Sequence, residues 1–526
     1  MQIILWLNHS VYLRKMIYRI LKHWPIVLLL LLTFFLRIYK IEELFYFSFD
    51  EEVPAFVARK LIEFGDISLL GGVTPFGLHL APYFYWFLTF LLFFGKLNPI
   101  IWGYAGAAIA TVTTFMIFLV AKEVFGKKVG FLATSFWTFS YLANIYDRHF
   151  WALYWGPLVS LAAIYCLYKI VKGNQKFTYL LAVVLALAIH TDPSNLIFLA
   201  LTAIVWILYK IPIRKSTIFA VLIIIFSFAP VIVFDLTHNF VNTKPLIKYF
   251  SQGKAHPANN PQGFVDNFLI FPKTFSRLIY TFGDDEIAKN YSYCWGFINE
   301  KYQAILQIII LFSTILVLIS LVWFFKKQFQ FKVLGTSILL YVLGIEIFGT
   351  LFKSDIFEHY ITGLFAIFLI ILGFFVAKLP KKIWLIVLAV FVFFNVQKLF
   401  SAQNSMGLTY KRQAIEYTSR KLGNKDFSLD SLSTCWRYGG YRYLFAVFGR
   451  EPVKSYVDPN LAHLYGPTKV ASEHPQTVVT LISHDFVPET DTFYKQYARF
   501  KAHEVENKIF GNIEVIILDN SKKWFF

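Results

Sequence analysis

Three adjacent carboxylates, Asp50, Glu51 and Glu52, follow Phe49 shortly after a long apolar run. Adjacent acids repel, and such crowding raises the pKa of at least one of them. A carboxylate raised toward the working pH can take a proton as a general base. The plainer reading is a helix cap, in which Asp50 opens a helix over Glu51–Phe64, because acids favour helix N-termini.

Four other polar clusters stand beside apolar runs, where polar groups are costly and a functional role is the default hypothesis. The stretch from Gly71 to Pro82 is a tight glycine–proline loop with His79 near its end. There His79 would meet a phosphate oxygen, a metal or only a backbone carbonyl. Arg148 and His149 sit between two apolar runs, and a guanidinium matches phosphate as a fork. Pairing of Arg148 with Asp147 as a topology anchor explains the same residues. His190 precedes Asp192-Pro193, where irregular backbone would line a cavity or simply turn the chain. Asp235 and His238 close one apolar run, and His359 and Tyr360 open another after Glu358; helix capping is the alternative for both. The chain lacks a glycine-rich phosphate loop, a His-Glu-x-x-His pair, a Cys-x-x-Cys pair and a Gly-x-Ser-x-Gly elbow. Their absence argues against the usual nucleotide hydrolysis, zinc proteolysis and lipase chemistry.

The elements around these residues read as membrane helices. Of 526 residues, 57% are apolar and only 16% charged, against about 45–50% and about 25% in soluble domains. Aromatics reach 19%, with 59 Phe, which suits lipid-facing helices with interfacial Tyr and Trp belts. Apolar runs occur at 24–38, 81–95, 100–121, 130–146, 151–171, 177–190, 195–210, 217–235, 304–325, 333–352, 360–378 and 382–400. Several approach the roughly 20 residues that a spanning helix needs. The expected fold is an all-α polytopic membrane protein with 11–13 crossings over residues 1–403.

The net charge of +18 lies in short clusters between apolar runs, which marks cytoplasmic turns rather than a nucleic-acid face. Arg14, Lys15, Arg19 and Lys22 place the N-terminus in the cytoplasm, and the first apolar run is a retained anchor. Lys169/Lys172/Lys176, Lys210/Arg214/Lys215, Lys326/Lys327/Lys332 and Lys378/Lys381/Lys382 then put loops 40–80 and 236–303, and the tail, on the outer side of the cell membrane. Twelve crossings would return the tail to the inside, so one early segment must be split, re-entrant or miscounted, and the region 81–171 is the suspect. The tail, 404–526, reads as a small extracytoplasmic α/β domain, with helical patterns near 409–422 and 439–449 and β-rich runs at 477–483 and 513–518. Of three cysteines, Cys166 lies in an apolar run, and Cys294 and Cys435 fall outside, where a bridge is weakly supported.

In order along residues 24–400, the chain resembles the polytopic GT-C glycosyltransferases that use polyprenyl-phosphate sugars, the class of protein O-mannosyltransferases (glycosyltransferase family 39-like) and lipid A aminoarabinose transferases. The resemblance is carried by Phe49-Asp50-Glu51, by Gly77-Leu78-His79-Leu80-Ala81-Pro82-Tyr83-Phe84-Tyr85, by the Phe125-Gly126 turn, by the Arg148 and His190 segments and by Phe234-Asp235-Leu236-Thr237-His238-Asn239-Phe240. It implies a sugar moved with inversion from a polyprenyl-phosphate donor to a hydroxyl or amine at the outer face. Asp50 would be the base with Glu51 in support. His79, Arg148, His149, His190, Asp235, His238, His359 and Tyr360 would surround the donor phosphate and substrate. The acceptor would be a protein, a lipid or a polysaccharide; no cofactor is certain, and a divalent metal is left open. The chain departs from the pattern at Ala81-Pro82, at Ala152–Pro157 after Arg148, and at Thr237 before His238, which bears on the sugar and the phosphate ligands. A transporter or flippase of a lipid-linked sugar, or a non-catalytic envelope assembly protein, is the alternative.

Overall fold

The structure, a computed structural model, describes residues 24–521 apart from 75–76, 253–262, 283–302, 352–355, 405–406, 435–436, 468–469, 472–474 and 486–488. Arg14, Lys15, Arg19, Lys22, Cys294 and Cys435 lie outside the described residues. Each apolar run forms helix. In chain order these are α1 (Trp24–Ile38), α2 (Phe49–Phe64), α3 (Tyr83–Phe94), α4 (Ile100–Phe125), α5 (Lys127–Phe139), α6 (Tyr141–Arg148), α7 (Gly156–Val171), α8 (Phe177–Thr191), α9 (Leu196–Leu208), α10 (Lys215–Phe226) and α11 (Ala229–Thr237). There follow α12 (Ile270–Ile279), α13 (Gln303–Val322), α14 (Phe329–Glu346), α15 (Phe365–Ala377) and α16 (Lys381–Phe400).

Among the described residues, six helices are long and apolar enough to cross a membrane, and α10 with α11, bent by 41°, makes a seventh. Four shorter apolar helices join them, α1, α3, α8 and the segment Pro193–Leu208. The chain is a polytopic α-helical membrane protein. Faces of α13 and α16 leave Ile308, Leu311, Ile386 and Phe393 uncovered, as lipid-facing helices do, while α15 is walled in on all sides.

The two ends of the bundle differ. At one end Lys128 donates to the carbonyls of Ala377 and Leu379, Lys169 pairs with Glu123 at 2.6 Å, and Phe329 touches the rings of Tyr168 and Tyr209. The basic turns therefore meet there. Glu51, His149, Trp151 and His359 gather at the other end. Helix α3 has both of its termini at this second end. The Tyr83 hydroxyl donates to Ser227 O at 2.9 Å beside His190, and Leu97, just past α3, accepts from the Tyr443 hydroxyl at 2.8 Å. Of the apolar runs, this one lies along the end of the bundle instead of passing through it.

The tail folds around a five-stranded sheet of β1 (Phe427–Ser433), β2 (Lys454–Ser455), β3 (Thr477–Ser483), β4 (Glu504–Phe510) and β5 (Ile513–Asp519) in the order β2-β1-β3-β5-β4. Strands β2, β1 and β3 are parallel, and β5 runs antiparallel to β3 and β4. Helices α17 (Leu408–Leu422), α18 (Tyr441–Phe448) and α19 (Asp491–Lys501) accompany it. The expected helices and the two expected strands are present; β1, β2, β4 and α19 are additional. This domain does not stand apart, because Phe45, Phe47 and Phe56 share one apolar core with Leu408, Tyr441, Phe445 and Tyr465.

Candidate active site

The three neighbouring acids take three different surroundings. Ser48, not Asp50, is the N-cap of α2, and Asp50 stands in its first turn. Glu51 completes a capping box: its Oε2 accepts from Ser48 N at 2.8 Å and Ser48 Oγ at 3.1 Å. The other Glu51 oxygen meets His149 Nε2. Glu52 is fully buried, with Oε1 accepting from Tyr443 N at 2.8 Å. Burial pushes its pKa up to about 7, opposed by that amide and by Arg442 and Lys411. For Glu52 burial, rather than crowding by its neighbours, is the cause of the rise. Asp50 alone is exposed. It lies within electrostatic reach of the Tyr85 phenol, and the positive end of α2 favours its negative charge.

His149 heads a row of rings that crosses this end of the bundle. Tyr46 lies 4.1 Å from it, Tyr154 4.6 Å and Trp151 5.6 Å. Trp151 continues to His359 at 5.1 Å, which packs on Tyr360 at 4.4 Å and stacks on Phe357. Beneath the row, Glu358 is buried between the Tyr146 hydroxyl at 3.0 Å and Arg277 Nε at 3.1 Å.

The glycine–proline loop is clamped beside this row. Gly71 packs so closely that a Cβ there would lie 2.6 Å from Ala81 O, so only glycine fits. His79 Nδ1 bonds Gly71 O at 3.0 Å, and its backbone is held on both sides by the Asn242 amide. Asp235 is buried and holds Asn242 N at 2.9 Å and the Thr243 hydroxyl. His190 uses both ring nitrogens, on Ala81 N at 3.4 Å and Ser227 Oγ at 2.9 Å. Asp235 and His190 therefore hold the loop that carries His79. Just below, α3, α8 and α10 enclose an apolar groove of about 510 Å³ lined by Tyr83, Tyr179, Phe219, Leu222, Phe226 and Ser227.

Two candidates lie elsewhere. Arg148 donates to the carbonyls of Leu36, Arg37 and Tyr39, capping the C-terminus of α1, so its guanidinium is occupied by backbone. His238 is exposed and stacks on Phe234 of its own turn at 4.1 Å. The structure brings Glu51, His149, His359 and Tyr360 into one row, with Asp50 next to Glu51 in the first turn of α2 and His79, His190 and Asp235 in the adjoining clamp. Tyr46, Tyr85, Trp151, Tyr154, Arg277 and Glu358 join them without having been singled out as site residues. So does Arg437, an exposed guanidinium over Tyr438, whose ring touches Phe49. Aromatic residues flanking His149 were the available signal; for Arg437 and Lys411 the sequence gives none, because they come from the tail.

No three His, Cys, Asp or Glu side chains among the described residues form a metal-binding group. Around Asp50, Glu51 meets Ser48 and His149, and Glu52 is enclosed by the tail.

Fold and site together define a polytopic helical membrane protein whose acid-, histidine- and aromatic-lined site lies at one end of the bundle, against a small α/β domain. No family model matches the chain, and no curated protein matches it. Among solved structures it is similar to the oligosaccharyltransferase AglB from Archaeoglobus fulgidus, solved with an inhibitory peptide and a dolichol-phosphate, at 9% identity and a TM-score of 0.45, over 88% of this chain and 70% of that one. It is likewise similar to ArnT from Cupriavidus metallidurans, solved with undecaprenyl phosphate, at 12% identity and a TM-score of 0.44, over 94% of this chain and 97% of that one. Likeness at this level gives no residue-by-residue correspondence, so the side chains take their meaning from their own contacts.

Proposed function

We propose that the protein is a membrane glycosyltransferase that moves a sugar from a polyprenyl-phosphate donor to a hydroxyl or amine acceptor, with Asp50 as general base. The observation that carries this reading is the environment of Asp50: an exposed carboxylate in the first turn of a helix, next to Glu51, which meets the His149 ring of an aromatic row. The groove suits an isoprenoid chain, which cannot leave the bilayer, so the reacting group must be met at its edge. The faces of Trp151, Tyr154 and Tyr46 suit the C–H faces of a sugar ring.

In the reaction, the acceptor oxygen or nitrogen forms a bond to the anomeric carbon. The bond from that carbon to the phosphate oxygen breaks on the opposite side, so the configuration inverts. The acceptor proton goes to Asp50, and the electron pair leaves with polyprenyl phosphate. Charge grows on that phosphate, where fixed donors act most strongly. With Nδ1–H donated to Gly71 O, His79 Nε2 is a donor only as the imidazolium, and the Arg437 guanidinium is a second donor in this region. The site faces outward if the N-terminus is cytoplasmic.

The test is release of polyprenyl phosphate from a labelled polyprenyl-phosphate hexose or pentose by the purified protein. Release by wild type and not by Asp50→Asn is expected. No release with any such donor, or equal release by Asp50→Asn, sinks the reading.

A further inference from the structure

The tail reaches into the loop that carries Asp50 through a single buried ammonium. Lys411, on α17, is fully buried, and its Nζ donates to Phe47 O at 2.7 Å and Gly439 O at 2.8 Å. Phe47 O belongs to the residue just before the Ser48 cap, so this bond fixes the peptide from which α2 starts. Three further contacts join the same two segments. Phe49 N donates to Tyr438 O at 3.0 Å, the rings of Phe49 and Tyr438 meet at 5.5 Å, and Tyr443 N donates to Glu52. Asp50 is flanked by Phe49 and Glu52, both gripped from the tail.

A buried ammonium is costly to keep out of water. Here the cost is met by two carbonyls and by the nearby charges of Glu51, Glu52 and Asp485. A methionine would fill the same space at lower desolvation cost, so burial alone does not explain a lysine. What the lysine amino group supplies, and methionine does not, is a pair of directed bonds that tie one loop to another.

We propose that Lys411 is a positioning residue for Asp50: by joining the carbonyls of Phe47 and Gly439 it makes the C-terminal domain set where the carboxylate stands. The proposal rests on the reading of Asp50 as the base. It assigns the domain a part in the chemistry of the membrane module, distinct from that of a separate binding module.

The experiment uses the full chain in lipid nanodiscs. It compares wild type, Lys411→Met, Lys411→Met/Glu52→Gln and Asp50→Asn by amide hydrogen exchange over 47–52 and by turnover of a labelled polyprenyl-phosphate hexose. A misplacement of about 1 Å at a reacting group costs about 10²-fold in rate. Lys411→Met is expected to speed exchange over 47–52 and to lower kcat by about that factor, with donor KM within about three-fold. The double variant relieves the uncompensated Glu52 charge, so its melting temperature recovers while its turnover stays low. Recovery of turnover in the double variant, or wild-type exchange or wild-type turnover in Lys411→Met, overturns the proposal. Wild-type turnover in Asp50→Asn overturns the base assignment instead, and the exchange measurement distinguishes that failure from failure of the Lys411 contact.

Discussion

The run of acids shows how far a residue's neighbours in sequence mislead about its chemistry. Asp50, Glu51 and Glu52 differ in what α2 turns them toward: solvent, a histidine and the tail domain. The first turn of a helix spreads successive side chains about 100° apart, so adjacent acids need not share a site. Replacing Asp50 by Asn removes the base with little change in shape, and turnover should fall by about 10²–10⁴-fold while the donor still binds, as read by lipid-binding and release assays side by side. Arg277 makes a different prediction. Its loss in Arg277→Met leaves Glu358 buried with only part of its compensation, which costs about 3–5 kcal/mol for pairs of this kind. A lowered melting temperature in Arg277→Met, largely regained in Arg277→Met/Glu358→Leu, is the expected outcome; equal melting temperatures in all three would refute it. Much of the site was legible as polar residues beside apolar runs. Arg148 was not, since an arginine before an apolar run looks the same whether it holds phosphate or caps the preceding helix.

At the scale of elements, α3 is where pattern and placement diverge. Its 12 residues are as apolar as those of a spanning helix, yet at about 1.5 Å per residue they cover well under the roughly 30 Å of a bilayer core. With both ends at the site, Asp66→Cys and Lys96→Cys, both exposed positions in a background free of native cysteines, should react with an impermeant maleimide from the same side of sealed vesicles. Reaction from opposite sides would make α3 a crossing after all. Helix α2 carries a pH signature. The Glu52 pKa is raised in the fold from 4.5 to about 7, so the folded chain holds a proton that the unfolded chain releases. That contribution, on the order of 3 kcal/mol, is complete below the unfolded value and lost as pH rises through about 7. Lys411, pushed down from 10.5 to about 7 by burial, works in the opposite sense and regains stability only as pH climbs toward 10.5. Glu52→Gln has no such proton to lose. Its melting temperature relative to wild type should therefore rise between pH 5 and pH 8, and a difference that stays flat would show that Glu52 does not titrate in this window.

Over the whole molecule, the bundle was readable because lipid demands long apolar helices, and the tail was readable as strands and helices because its periods change. What composition could not convey is that the two parts share a core. Phe45, Phe47 and Phe56 look like loop aromatics until the residues that cover them, far along the chain, are known. Gly440 is a tight point of that junction: its φ of +73° suits glycine, and a Cβ would lie 2.6 Å from the Phe47 ring. Gly440→Ala must therefore strain the backbone and displace either Phe47 or the tail. A left-handed conformation costs about 1–2 kcal/mol for a residue with a Cβ, and displacing a buried aromatic adds to it. Lower stability is then expected together with faster proteolysis between 404 and 440 and a drop in turnover, although residue 440 touches no proposed reacting group. If the domain were an independent attachment, the substitution would lower its stability alone and leave turnover unchanged. Removal of 404–526 poses the same question more severely: the bundle would lose the cover of Phe45, Phe47 and Phe56, each worth about 1.5–3 kcal/mol when fully buried, and its Asp50 loop would lose every partner in the tail. A chain ending at 403 that turns over donor at the wild-type rate would show that the bundle alone sets the place of Asp50.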